Sequence, residues 1–249
     1  MTRPARGGSR LGSRAPGCYS RAVVSALVKA PLFPLPDGAL LPGELLPLHV
    51  FEPRYRAMLE DGRKGSPMIA IATLLPGWEA DYAGTPAVAE IVGLGRLVDD
   101  RRRPDGTSDI VLQGLLRAEI ATELDSDKPY RLAGLVPRPD GEQHPSEAWR
   151  LRRELLLGIA GRLRTKAFRY DLTAGFDVGA LVDRIAGSLD LQPPLKVRVM
   201  QAIDPVARVE LLLALLRERE HRQRLLELIP SLQPFSLELD PGEGPRGGA

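Results

Sequence analysis

The stretch "PGELLPLHVFEPRYRAML", residues 42–59, sets Glu44, His49, Glu52, Arg54 and Arg56 into an otherwise apolar run. Two chemistries could use such a set: a histidine and a glutamate three residues apart could ligate a metal, or an imidazole, a carboxylate and a guanidinium could line a small-molecule pocket. The metal reading fails on spacing. A helical zinc signature needs two histidines one turn apart with the glutamate between them, and the other histidines, His144 and His221, stand far along the chain. Neither a metal nor a cofactor is expected. "GLGR" at 93–96 has two glycines but no third, and no glycine-rich run ends in Lys-Ser or Lys-Thr, so no phosphate loop is encoded. No serine sits in a nucleophile elbow, and the single cysteine, Cys18, lies near the N-terminus. The cluster therefore reads first as the joint between a strand, "ELLPLHV", and a helix, "PRYRAMLEDG". Pro53 suits the first helical position, Glu52 can accept free N–H groups at the helix start, and Tyr55, Met58 and Leu59 share an apolar face. Arg54 and Tyr55 remain candidates for ligand contact.

The elements that would hold this joint follow from periodicity. "PMIAIATLL" (67–75) alternates Ile69 and Ile71 with Ala70 and Ala72, as a strand buried on both faces of a small barrel would. "AVAEIVGLGRLV" (87–98) and "IVLQGLLRAEI" (110–120) flank an Asp105-Gly106 turn, a hairpin signal because few residues tolerate positive φ. In the second arm Ile110, Leu112, Leu116, Ala118 and Ile120 are expected on one face, with Gln113, Arg117 and Glu119 on the other. "YRLAGLVPR" (130–138) is a further antiparallel strand, and "GLGR" marks a bulge or a close packing point. After Pro139 the period becomes helical. Ser146 caps a helix with Leu151, Leu155, Leu156, Ile159 and Leu163 on one stripe; Asp177 opens a second with Val178, Leu181, Val182 and Ile185; a third runs near Leu195 to Ile203. Asp204 caps a fourth, with Pro205 first and Val206, Val209, Leu212, Leu213 and Leu216 apolar. "REREHRQR" (217–224) and "RRR" (101–103) read as solvated charge. The expected division is a basic disordered leader (1–29), a barrel (30–140), a helical bundle (145–230) and a flexible tail (231–249).

Charge narrows the partners. The whole chain is formally +2, but residues 1–30 hold six basic residues and no acidic one, leaving 28 basic against 32 acidic residues beyond them, formally −4. A body of that sign does not suit the release of counterions from nucleic acid. The leader, rich in Arg, Ser and Gly and lacking acids, is read as a disordered or targeting segment or an over-extended start. No run approaches the ~20 apolar residues of a membrane span. One cysteine excludes an internal disulfide and favours a reducing, cytoplasmic compartment.

Taken in order, "PLFPLPDGALLPGELLPLHVFEPRYRAML", the two-sided strand, "GLGRL", "DGTSDIVLQGLLRAEI" and "PYRLAGLV" resemble the N-terminal substrate-binding domain of the ATP-dependent Lon protease. The likeness covers roughly 31–138, and the helices to about 230 resemble that domain's helical extension. It implies an α+β fold: a PUA-like pseudo-barrel of mostly antiparallel strands followed by a C-terminal helical bundle. The role it implies is recognition of unfolded or tagged protein segments, with docking on a separate protease left open. Glu44, His49, Glu52, Pro53, Arg54 and Tyr55 match the family signature, and Gly114, Leu116 and Arg117 its "G-x-x-R" strand; with Gly106, most are expected to hold the fold, while Arg54, Tyr55 and Arg117 are the expected peptide contacts. The phosphate loop and the serine and lysine of the full protease are absent from these residues, so a non-catalytic protein-binding module is expected. The alternatives are a small-molecule protein or cryptic enzyme around His49, Glu52 and Arg54, and a PUA-like RNA-binding protein.

Overall fold

The computed structural model describes residues 27–82, 84–140, 146–162, 176–189 and 191–228. Most of the expected leader, with Cys18, the linker residue His144, and the tail at 231–249 lie outside the described residues. Six strands, β1 (Val28–Leu35), β2 (Leu45–Val50), β3 (Met68–Thr73), β4 (Ile91–Arg102), β5 (Ser108–Leu124) and β6 (Leu132–Pro137), form one sheet in the order β2-β5-β4-β3-β1-β6. β5 is long enough to pair β2 with its first half and β6 with its second, which closes the sheet on itself into the expected pseudo-barrel. Every pairing is antiparallel except β1 with β3. β1 begins at Val28, inside the segment expected to be leader. Helix α1 (Pro53–Lys64) follows β2; α2 (Glu147–Arg162), α3 (Val178–Ser188), α4 (Pro193–Gln201) and α5 (Pro205–Leu228) follow the barrel. The class is α+β.

The size alternation in β3 explains why the barrel has two cores. Ile69 and Ile71 join Phe33, Tyr55, Met58 and Leu59 on the α1 side, while Ala70 and Ala72 join Leu32, Val92, Leu94 and Leu135 on the other. Burying the large side chains on one face and the small ones on the other lets a single strand serve two layers at native density. The Asp105-Gly106 turn forms as expected: Gly106 has φ 81°, Gly106 N donates to Arg103 O at 3.0 Å, and the Asp105 carboxylate accepts from Thr107 N at 2.9 Å. Arg101, Arg102 and Arg103 are exposed beside it, Arg102 and Arg103 pairing Glu60 and Asp109.

Two glycines admit a buried segment across the sheet. Ala39, Leu40 and Leu41 run over β4 and β5 so closely that a Cβ on Gly93 would sit 2.2 Å from Leu40 O, and one on Gly114 only 2.1 Å from Leu41 O. Gly43 N donates to Gly114 O at 2.9 Å, and Gly114 N donates to Glu44 O at 2.8 Å. The "GLGR" run is thus a close packing point, with a register shift at Leu94/Gly95.

The chain divides into two compact units, residues 1–209 and 210–249. The first contains the barrel, α1 to α4 and the start of α5; the described part of the second is the remainder of α5. The helix starts agree with their caps: Asp177 accepts from Ala180 N at 2.7 Å, and Asp204 from Val206 N at 3.1 Å. The apolar stripe of α2 is offset from expectation. Leu156 and Ala160 are buried, whereas Leu151 and Leu155 are exposed, because the helix turns the former pair inward against α3.

Replacement of Gly114 by alanine is expected to cost about 1–3 kcal/mol, since the clash is with backbone and not with the end of a flexible side chain. Urea unfolding of G114A against the parent measures it.

Candidate functional site

β2 delivers the signature to the start of α1, but the side chains do not converge on a cavity. His49 is exposed, its Nδ1 2.7 Å from Asp109 Oδ1 and its ring stacked on Phe51. Glu44 faces the other way: its carboxylate accepts from Leu41 N at 3.0 Å and from Lys196 of α4, and burial pushes its carboxyl above the usual range. Pro53 opens α1 as expected. Glu52 is the N-cap residue by position, yet its side chain accepts no backbone N–H; its carbonyl caps Tyr55 N and Arg56 N instead. The expected carboxylate cap is corrected for a physical reason, because two stronger donors compete for it. Arg54 Nε donates to Glu52 Oε2 at 3.0 Å and the Tyr82 hydroxyl to Oε1 at 2.5 Å.

Arg54 and Tyr55, the expected contacts, have different environments. Tyr55 is 4% exposed, its ring 4.3 Å from that of Phe33, and burial pushes its hydroxyl up to about 12. It is a core residue. Arg54 is half-buried between the rings of Tyr55 and Tyr82, 4.7 and 4.8 Å from their centroids, and donates to Tyr82 O at 3.3 Å. Tyr82 in turn meets Trp78 edge to face at 5.3 Å. The signature therefore clamps a short 3-10 turn, Trp78–Asp81, that follows Gly77 at φ 89°.

That turn forms one wall of an open apolar groove of about 660 Å³. Leu74, Leu75, Trp78, Val88 and Ala89 of the barrel and Pro194 and Val197 of α4 line it. Each margin is tied down by a hydrogen bond. Thr73 Oγ1 donates to Gly38 O at 2.7 Å, Arg131 Nη1 to Pro86 O at 2.8 Å, and Gln201 Nε2 at the end of α4 to Ile91 O at 2.9 Å. Leu75, 42% exposed, presents its side chain to solvent at the rim. A second depression, lined by Pro53, Arg56, Glu60, Arg63 and Arg102, is polar, with Glu60 paired to both Arg63 and Arg102. Among the described residues no three His, Cys, Asp or Glu side chains are placed to hold a metal ion, and no helix is long and apolar enough to cross a membrane.

Arg117 is turned inward. The expected peptide contact at Arg117 gives way because α3 and α4 cover that face of β5: Arg117 is 2% exposed, donating to Asp183 Oδ2 and Oδ1 at 2.5 and 2.8 Å, to Met200 O at 3.0 Å and to Val199 O at 3.1 Å. Arg208, fully buried, approaches Asp183 Oδ1 at 3.3 Å and donates to Asp140 at 2.5 Å and to Ile203 O at 2.7 Å. Burial pushes the Asp183 carboxyl up, and the two guanidiniums oppose that push. This network seats α4, and with it the groove wall. Sequence reading missed Asp183, Arg208, Trp78 and Tyr82. The available signals were a lone carboxylate on the apolar face of α3, and a tryptophan and a tyrosine beside the Pro-Gly turn of "LLPGWEADY".

The sequence pattern of the family described as the ATP-dependent protease La (LON) substrate-binding domain matches residues 29–218. The chain belongs to this family. It is 26% identical over 210 residues to Lon protease 2 of Myxococcus xanthus, covering 81% of this chain and 25% of that protein, and 28% identical over 191 residues to Lon protease 4 of Sorangium cellulosum, covering 76% and 23%. It thus spans about a quarter of the length of these Lon relatives. Among solved structures it is similar to a Lon N-terminal domain protein from Xanthomonas campestris, with TM-score 0.55, 25% identity and coverage of 75% of this chain and 98% of that one. The N-terminal domain of a Mycobacterium avium complex Lon protease shares the fold at TM-score 0.59 and 18% identity, covering 75% and 97%. The matched part of the Lon relatives is this substrate-binding domain.

Two substitutions separate the roles of the arginines. Arg117→Ala leaves Asp183 buried with one fewer cation and is expected to cost about 3–5 kcal/mol in chemical unfolding. Arg54→Ala is expected to cost only about 1 kcal/mol, yet in a Trp149→Phe background it should red-shift Trp78 fluorescence and raise its quenching by acrylamide; an unchanged spectrum would show that the clamp does not position Trp78.

Proposed function

We propose that this protein is a non-catalytic polypeptide-binding module that holds unfolded or tagged protein segments in the groove between the barrel and α4, in the service of proteolysis or quality control. The observation that carries this reading is the groove itself: an open channel with apolar walls, broad enough for side chains of an extended segment, in a family described by substrate binding. Its walls are held from behind, by Arg54 and Tyr82 on one side and by Gln201 and the Arg117 network on the other. A preformed apolar channel suits an extended chain, because ordering cost falls on the peptide alone. Native proteins bury the apolar side chains such a channel takes, so preference for unfolded chains follows from burial. Arg54 contributes as a positioning residue, and Trp78 with Leu75 supplies contact area.

The test is fluorescence anisotropy of the full chain with a labelled, permanently unfolded test protein and with its native form, a structured RNA serving as control. Preferential binding of the unfolded chain is expected, weakened about tenfold by Trp78→Ala. Equal affinity for native and unfolded forms, or an unaffected W78A protein, would overturn the assignment to this groove.

A further inference from the structure

The charges around the groove indicate which segments it takes. Among the described residues two charged side chains line it, Asp37 and Glu90, both acidic, and no lysine or arginine does. Both carboxylates are exposed, and neither makes a hydrogen bond or ion pair among the described residues. Elsewhere in the barrel the carboxylates of Glu44, Glu52, Glu60, Asp61, Asp100, Asp109, Glu119 and Glu123 each meet a cation, whereas those of Asp99, Asp105, Asp125 and Asp127 make no ion pair among the described residues. Glu79 and Asp81 extend the same sign along the 3-10 turn that carries Trp78, exposed and facing no cation among the described residues. Of the basic groups on elements that border the groove, three are held by internal partners, whereas Arg198 on α4, next to Val197, is exposed and its side chain makes no hydrogen bond or ion pair among the described residues. Arg131 is held by Glu123 and Pro86 O, Lys196 by Glu44, and Arg54 by Glu52 and Tyr82.

An apolar channel bordered by uncompensated carboxylates sets up a field that rewards a cation and penalises an anion entering beside apolar side chains. We infer that the groove selects extended apolar segments flanked by lysine or arginine, and disfavours otherwise identical segments flanked by acidic residues. The inference rests on the proposed polypeptide-binding reading and adds substrate selectivity to it. Apolar contact with Leu75, Trp78 and Val197 supplies affinity, while Asp37 and Glu90 set the sign of the preferred flank. The carboxylates lie at the solvent-facing margin, so their contribution falls as salt screens it.

Three fluorescein-labelled twelve-residue peptides test it, sharing one Leu/Val/Phe core and bearing two lysines, two serines or two glutamates at the flanks, titrated with the full chain at low and at high salt. The lysine peptide is expected to bind about tenfold tighter than the glutamate peptide at low salt, with the ratio shrinking as salt rises. An Asp37→Lys, Glu90→Lys double variant should reverse the order of the peptides while retaining the parent's circular dichroism and melting, since neither residue supports the fold through a partner. Equal affinity of the three peptides, or an order unchanged in the double variant, would overturn the charge selectivity and leave polypeptide binding standing. Failure of every peptide to bind would overturn both.

Discussion

The structure of the first unit depends on one buried ionic cluster. Arg117 on β5 and Arg208 at the start of α5 converge on Asp183 of α3, three groups with almost no access to water, and the partly exposed Asp140 takes the remaining charge of Arg208. Removing such ions from water costs several kcal/mol each, and the cost is offset only where donors find acceptors in good geometry. That condition is nearly met here. Arg117 reaches a bidentate carboxylate and two carbonyls at the end of α4, Met200 O and Val199 O, so a rotation or slide of α4 along β5 would strand charges in the interior. An apolar contact would hold the helices equally well but would tolerate sliding. The cluster specifies where they sit.

The groove inherits its shape from that placement. Its α4 wall is fixed by the ionic cluster, by the Lys196 to Glu44 pair and by Gln201 on Ile91 O; its opposite wall is fixed by the stack running from Tyr55 through Arg54 and Tyr82 to Trp78. Most of these supports act from outside the channel, while Gln201 and Trp78 also line it. The polar residues that stand out in the sequence signature thus serve as braces, and the surface they leave available for contact is apolar with acidic margins. Such a division suits a binding module: rigid polar clamps cost little once formed in the folded protein, and the exposed face keeps the non-directional attraction that a variable polypeptide partner requires.

The glycines show a similar economy in the barrel. Gly93 and Gly114 carry no side chain because the backbone of Leu40 and Leu41 occupies the space, and this lets a buried segment cross the sheet and lead directly into β2. β2 then presents the helix start at one fixed point, from which Arg54 reaches the 3-10 turn.

By itself the sequence determined the order of β2 to β6 and of the helices but not β1, the two-sided nature of β3, the Asp105-Gly106 turn, the proline starts of α1 and α5, the caps at Asp177 and Asp204, and the likeness to the Lon substrate-binding domain. These are local properties, set by side-chain alternation, φ preference and free N–H groups within a few residues. Only the tertiary structure decided which way Arg117 faces, which stripe of α2 is buried, and that Pro36, Asp37, Leu75, Trp78, Glu90 and Val197 share one groove. Alternation along β5 says that Arg117 lies on the face opposite Leu116, but it carries no information about what covers that face. The cover comes from helices more than 60 residues away, bound by ion pairs whose partners a linear pattern does not join.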